Sequence, residues 1–202
     1  IKAFNLAGWN PDIGVVVLTG VGDKAFCTGG DQSAGSHEGS YGGRGTTGMP
    51  VEELHTIIRD IPKPVIARVN GYCIGGGLAI AIGCDIRICS DKSTFGVPAA
   101  KLGIGYKAKG IRELERLVGP AFTAEIFYTA RQFDAEEARI MGLVNRVLPE
   151  TGLDAAVGDL IGRIAENAPL SIKAVKETLI EHGKPEAAWD FSAHYTTVKQ
   201  CG

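Results

Sequence analysis

The chain has 202 residues, 45% hydrophobic and 22% charged, with a formal net charge of −2. That length can bury a sizeable core without staples, and the balanced charge, with no basic run, argues against a nucleic-acid or membrane-surface partner. The cysteines Cys27, Cys73, Cys84, Cys89 and Cys201 are odd in number and form no CxxC pair. They read as free thiols of a cytoplasmic protein, with no metal site and no disulfide framework.

The first residues, Ile1 to Ala7, have the spacing of an amphipathic helix and no initiator Met, so further residues are expected ahead of Ile1. Gly14 to Gly20 is a short apolar run bounded by glycines, a buried strand, and Ala25 to Cys27 is a shorter one. Residues 33–50 are polar and glycine-rich, with few apolar residues, and read as a loop. Val51, Leu54, Ile57, Ile58 and Ile61 recur at helical spacing, and Pro62 and Pro64 end that helix. Val65 to Val69 alternates as a strand. Gly75-Gly76-Gly77 opens a small apolar helix ending near Cys84. The uncharged run Gly71 to Cys84 is too short and too glycine-rich to cross a bilayer. Asp85 to Ser90 and Thr94 to Val97 read as strands. Helices are expected at about 108–118, 121–130, 134–142, 153–167 and 169–182.

This order makes an α/β fold with a core over residues 1–150 and a helical region over 151–202. Two strand-then-helix units, starting near Gly14 and Pro64, each carry a glycine cluster after a strand. No G-x-G-x-x-G follows Val15–Leu18, which argues against a dinucleotide site. Three glycines at a helix start cost stability, roughly 1 kcal/mol each relative to Ala. They leave the first-turn N–H groups bare at the positive end of the helix dipole. Two such donors converging on one oxygen form an oxyanion hole. Taken alone, each cluster reads first as a tight turn or a helix–sheet contact.

Lys24-Ala25-Phe26-Cys27-Thr28-Gly29-Gly30-Asp31, Lys63-Pro64-Val65-Ile66-Ala67-Arg68-Val69-Asn70-Gly71-Tyr72, Ile74-Gly75-Gly76-Gly77, Cys84-Asp85 and Phe95-Gly96 occur in that order. With Gly142-Leu143-Val144-Asn145 after them, the chain resembles the enoyl-CoA hydratase/isomerase, or crotonase, superfamily over nearly its whole length. The resemblance implies a spiral of ββα turns and C-terminal helices that assemble a homotrimer or a dimer of trimers. It implies an acyl-CoA thioester as ligand, with coenzyme A entering as part of the substrate and no separate cofactor. By position, the oxyanion donors are the N–H groups of Gly30 and Gly76. Thr28, Gly29, Asp31, Gln32, Tyr72, Cys73, Ile74 and Gly75 would line the acyl-CoA, with Arg44 from the polar loop.

The sequence departs from the family's hydratases at both of their glutamates. Ala79 stands where one is expected, two residues after the glycine triplet, and Ala99 stands where the other ends a Phe-Gly-x-Pro-Glu pattern. Alanine can neither take nor give a proton. Residues 24–77 are most similar to 2-ketocyclohexanecarboxyl-CoA hydrolase and, less closely, dihydroxynaphthoyl-CoA synthase. Their aspartate position is Tyr106 here, and their glutamine after Phe-Gly is Val97. The stretch Leu102-Gly103-Ile104-Gly105-Tyr106 instead resembles methylmalonyl-CoA decarboxylase, which implies a role for Tyr106 beside the acyl group. His37, Glu38 and Arg44 sit in the polar loop, either over the acyl group or simply solvated. His55, beside Leu54 and Ile58 on its helix, reads as structural.

The expected function is therefore an acyl-CoA enzyme working through an oxyanion-hole-stabilised enolate. Decarboxylation or C–C bond chemistry is favoured over hydration. The alternative is a non-catalytic acyl-CoA-binding protein, since the usual acids are absent.

Overall fold

The computed structural model describes residues 2–29, 51–184 and 186–201. The chain climbs by repeating one move: a strand for one sheet, a strand for a second sheet, then a helix. The first turn supplies β1 (Val16–Thr19), β2 (Ala25–Cys27) and α2 (Val51–Asp60), after an opening α1 (Lys2–Trp9). The second supplies β3 (Val65–Val69), β4 (Tyr72–Ile74) and α3 (Gly76–Gly83). The third supplies β5 (Ile86–Ser90), β6 (Thr94–Gly96), a 3-10 turn at Pro98–Leu102 and the long α4 (Ala108–Thr129). Then β7 (Gln132–Asp134), α5 (Ala135–Ile140) and β8 (Arg146–Leu148) close the sheets.

Among the described residues the strands form two four-stranded sheets, ordered β1-β3-β5-β8 and β2-β4-β6-β7. Every pairing is parallel except β6 with β7. Parallel neighbours need a crossover between them, and here each crossover is one turn of the spiral. The expected α/β spiral of ββα turns is the observed fold.

The sheets meet in a core where Val65, Ala67, Val69, Cys73 and Cys89 are fully buried. Phe95 stacks on Phe133 at 5.9 Å, joining β6 to β7. Two polar clamps lock the successive turns. Buried Arg87 donates to the carbonyls of Leu143 (2.7 Å) and Cys84 (2.6 Å), and Asn145 Oδ1 accepts from the Arg87 backbone N–H. Asp85 accepts from the Val65 N–H (2.7 Å) and from Lys176 Nζ (2.8 Å), a lysine only 6% exposed. These clamps give structural work to Asp85 and Asn145. Lys63 Nζ closes α1 by donating to the carbonyls of Ala7 (2.7 Å) and Asn10, a cation at a helix C-terminus.

All five cysteines are free. Cys73, Cys84 and Cys89 are buried, and burial raises all three thiols, Cys84 and Cys89 to about 12. Cys201 is exposed.

The helices expected at 108–118 and 121–130 are the two halves of α4. Gly119 (φ 76°, ψ 169°) breaks the helical path between them, followed by Pro120. The short strands β4, β7 and β8, each three residues long, lie outside the sequence-based expectation. So does α8 (Ser192–Cys201).

After β8 come α6 (Leu153–Ala165), α7 (Pro169–His182) and α8, with 3-10 turns at Glu150–Gly152 and Glu186–Ala188. The apolar stripe of α6 packs inward: Leu153 and Val157 are buried with Ile88, and Leu160 and Ile161 pack against them. Of the three C-terminal helices, α7 and α8 leave large apolar residues exposed, among them Val175, Leu179, Tyr195 and Val198. Among the described residues no helix is long and apolar enough to cross a membrane.

Candidate active site

Two glycine turns, one after β2 and one after β4, lie against each other because β2 and β4 are parallel neighbours. A Cβ placed on Gly76 would sit 3.3 Å from the Gly29 Cα, so the two backbones touch with no side chain between them. The contact is tighter at Gly77, where a Cβ would lie 1.9 Å from the Cys27 carbonyl oxygen and 2.9 Å from the Cys27 Cβ. Any residue but glycine there would drive α3 off β2.

Gly75, at φ 56° and ψ −114°, turns the chain from β4 into α3. It is held by its N–H donating to the Gly96 carbonyl at 2.8 Å, and by Pro98, whose Cδ lies 3.8 Å from where a Gly75 Cβ would be. The first intrahelical bond runs from the Ala79 N–H to the Gly75 carbonyl. Among the described residues no side chain caps α3. Since a helix's first N–H groups have no acceptor within it, the Gly76 N–H stands at an open, dipole-positive end.

Of the residues expected to form the site, Gly30, Asp31, Gln32 and Arg44 lie outside the described residues, as do His37 and Glu38. Thr28 and Gly29 reach the α3 turn from β2. Tyr72 is half exposed, with its N–H donating to the Lys24 carbonyl at 3.1 Å. Cys73 is fully buried, register-paired with Cys27 on one side and Phe95 on the other. Cys73 therefore has only backbone to offer a ligand. Ile74 and Gly75 are partly exposed at the end of β4.

Ala79 is one helical turn into α3, and Ala99 follows the Pro98 that packs on Gly75. Tyr106 precedes α4 and is partly buried. Its ring meets Phe127 edge-on at 4.9 Å and lies over Gly110, where a Cβ would be 2.9 Å from Cε1. Among the described residues its hydroxyl makes no hydrogen bond. Burial raises the Tyr106 phenol above its ordinary value, so it keeps its proton at neutral pH.

Near the other end of α3, His55 of α2 is buried over Gly83, with its pKa lowered chiefly by burial. Periodicity marks it as an inward-facing helix position and nothing more; the gap it fills is made by a glycine 28 positions later in the chain. Among the described residues there is no cluster of three His, Cys, Asp or Glu side chains able to hold a metal ion.

The family model for enoyl-CoA hydratase/isomerase matches residues 1–199. An enoyl-CoA hydratase/carnithine racemase from Magnetospirillum magneticum superposes with a TM-score of 0.83 at 31% identity, over 99% of this chain and 73% of that one. An enoyl-CoA hydratase from Bacillus anthracis matches with a TM-score of 0.83 and 29% identity, covering 98% and 75% of the two chains. DspI from Pseudomonas aeruginosa matches with a TM-score of 0.82 and 26% identity, covering 98% and 76%.

Proposed function

Because the chain belongs to the enoyl-CoA hydratase/isomerase family, we propose that it seats an acyl-CoA thioester carbonyl on the N–H groups of Gly76 and Gly30. The reaction then runs through the thioester enolate, with decarboxylation or C–C bond chemistry favoured over hydration. The open, uncapped start of α3 supports the seat. A preorganised donor there is worth more in a water-poor site than in solution, because nothing reorganises as charge develops on oxygen.

The choice of reaction rests on the residues at two positions: Ala79 stands one helical turn into α3, and Ala99 follows the Pro98 that packs on Gly75. Activating water needs a base, and protonating the enolate needs an acid. Neither Ala79 nor Ala99 can supply either. In a decarboxylation, the bond to the departing carboxylate breaks and its electron pair moves into the enolate. The thioester oxygen, held by the two N–H groups, takes the charge. The enolate carbon then needs one proton, and the protonated Tyr106 is the group we assign to deliver or position it. The likeness around Tyr106 to methylmalonyl-CoA decarboxylase, and of residues 24–77 to ring-processing hydrolases and synthases, fits this reading.

We also propose a cytoplasmic homotrimer or dimer of trimers, with residues 1–150 binding the acyl-CoA and 151–202 assembling the subunits. The exposed apolar residues of α7 and α8 support that use.

The test is a panel of CoA thioesters followed for CO₂ release, water addition, double-bond shift and hydrolysis. Slow or undetectable hydration of crotonyl-CoA is expected, with turnover that falls in Tyr106→Phe more than acyl-CoA binding does. Robust crotonyl-CoA hydration would overturn the choice of reaction. Binding without turnover across the panel would favour a non-catalytic acyl-CoA-binding protein.

A further inference from the structure

Among the described residues, three buried side-chain atoms lack a hydrogen-bond partner: His55 Nε2, Asn70 Oδ1 and Glu177 Oε2. Asn70 still donates through its amide to Glu150, and the other oxygen of Glu177 faces Lys173 at 3.6 Å. For His55, no hydrogen bond is present among the described residues. The side chain is only 7% exposed. A buried polar atom left unpaired lowers stability, and a bound partner atom would restore what is lost.

The position of His55 says where such a partner would come from. Its ring lies over Gly83, where a Cβ would be 2.8 Å from Cδ2 and 3.2 Å from Nε2. Gly76, Ala79 and Gly83 fall three and four residues apart, on one stripe of α3. The imidazole therefore covers the far end of the stripe that begins at the thioester seat. Gly83 lies seven positions beyond Gly76, about 10 Å along the helix axis. From the other side α4 brings Lys109 and Glu113 within electrostatic range of the ring, and the same first turns of α4 hold Gly110 against Tyr106.

We propose that His55 is a specificity-determining residue of the acyl site, pairing through Nε2 with a carbonyl or hydroxyl oxygen that the acyl group carries several carbons beyond the thioester. This deepens the acyl-CoA reading above and rests on it. A neutral imidazole nitrogen donates to a carbonyl or accepts from a hydroxyl, according to tautomer. A plain alkyl chain would leave Nε2 unpaired, and a site built to pair a polar group rejects the analogue that lacks it.

The experiment compares heptanoyl-CoA, 6-oxoheptanoyl-CoA and 6-hydroxyheptanoyl-CoA by calorimetric titration of the full chain. One oxygenated probe is expected to bind about tenfold more tightly than heptanoyl-CoA. His55→Leu, which fills the space over Gly83 without a polar atom, should bring that ratio to about one. His55→Gln, whose amide both donates and accepts, should keep part of the preference. Equal affinities in the unmodified protein, or a preference that survives His55→Leu, would overturn the inference alone. If none of the three probes binds, the acyl-CoA reading falls and this inference falls with it. Should His55→Leu fail to fold, the comparison in the unmodified protein and in His55→Gln still decides.

Discussion

Two helices of this molecule begin in opposite ways. At the start of α5, Asp134 accepts from the Glu137 N–H at 2.8 Å, and Glu137 accepts from the Asp134 N–H at 3.1 Å. This reciprocal capping box satisfies donors that a helix start otherwise leaves bare. At the start of α3 there is no side chain to do so: the N-cap is Gly75 and the first helical residues are Gly76 and Gly77. Acidic residues crowd the first turn of α5 and none is present in that of α3. The same helix-end physics thus closes the start of α5 with side chains and leaves that of α3 without a side-chain cap among the described residues. Under the proposed function, the stability given up at α3 keeps its donors available.

Substitutions at the two starts should separate these roles. The largest effect is expected from Gly77→Ala. Its new Cβ would collide with the Cys27 carbonyl, backbone against side chain, where nothing can swing away. Overpacking of this kind costs about 1–3 kcal/mol, toward the upper end where backbone must move, read as a lower midpoint in urea. An unchanged midpoint would mean that α3 and β2 are not locked as described.

Gly76→Pro is next, and its signature should be different. Proline at the first helical position loses no intrahelical bond, though its Cβ would press on the Gly29 Cα at 3.3 Å and distort the turn, so some stability is lost. Losing an oxyanion donor, however, typically costs about 100-fold or more in turnover. Activity on an acyl-CoA should therefore fall far more than stability, and intact turnover in a folded variant would remove Gly76 from the site. Asp134→Ala should show the reverse: about 1 kcal/mol of stability lost with the cap, and acyl-CoA binding retained.

The smallest effect concerns the far end of α3. His55 is kept neutral there chiefly by burial, helped by Lys109 and Arg59 and opposed by Glu113 and Asp60. Its folded pKa is lowered, so the unfolded chain binds the proton first as pH falls through about 6.5. Stability should decline below that pH, until the folded form also protonates. His55→Leu should flatten this part of the stability-versus-pH curve, and an identical slope in the variant would show that other groups carry it.

Much of this architecture was legible in the residues. The Gly75–Gly77 triplet marked the open helix start, and Gly119-Pro120 marked the break inside α4. What escaped was short or non-local. Strands β4, β7 and β8 have three residues each and exist because neighbouring strands offer them a partner, which no local pattern states; β2 and β6, equally short, were read from the sequence. Helix α8 is polar over most of its length, so no stripe announces it. The site was legible in part: the two glycine turns were recognised as a pair, and Gly29 lies against Gly76 in the structure, while Gly30, the residue expected to share the site, lies outside the described residues. The position of His55 against Gly83 does not follow, because it depends on how α2 lies across α3. Helix α6 was legible as well, but not that its Leu153 and Val157 are buried with Ile88 while Val175, Leu179, Tyr195 and Val198 of α7 and α8 stay exposed.

The buried thiols give this fold a chemical clock. Alkylating reagents attack thiolates, and Cys73, Cys84 and Cys89 are both enclosed and held in the thiol form. Each can be labelled only in moments when its own layer opens: Cys73 with the second sheet, Cys89 with the first, Cys84 with the end of α3. Cys201, exposed on α8, is labelled from the outset and calibrates the reagent. A pulse of iodoacetamide followed by peptide mass spectrometry would then time the opening of each layer separately. A ligand that binds at the start of α3 should slow the labelling of Cys84 along with that helix.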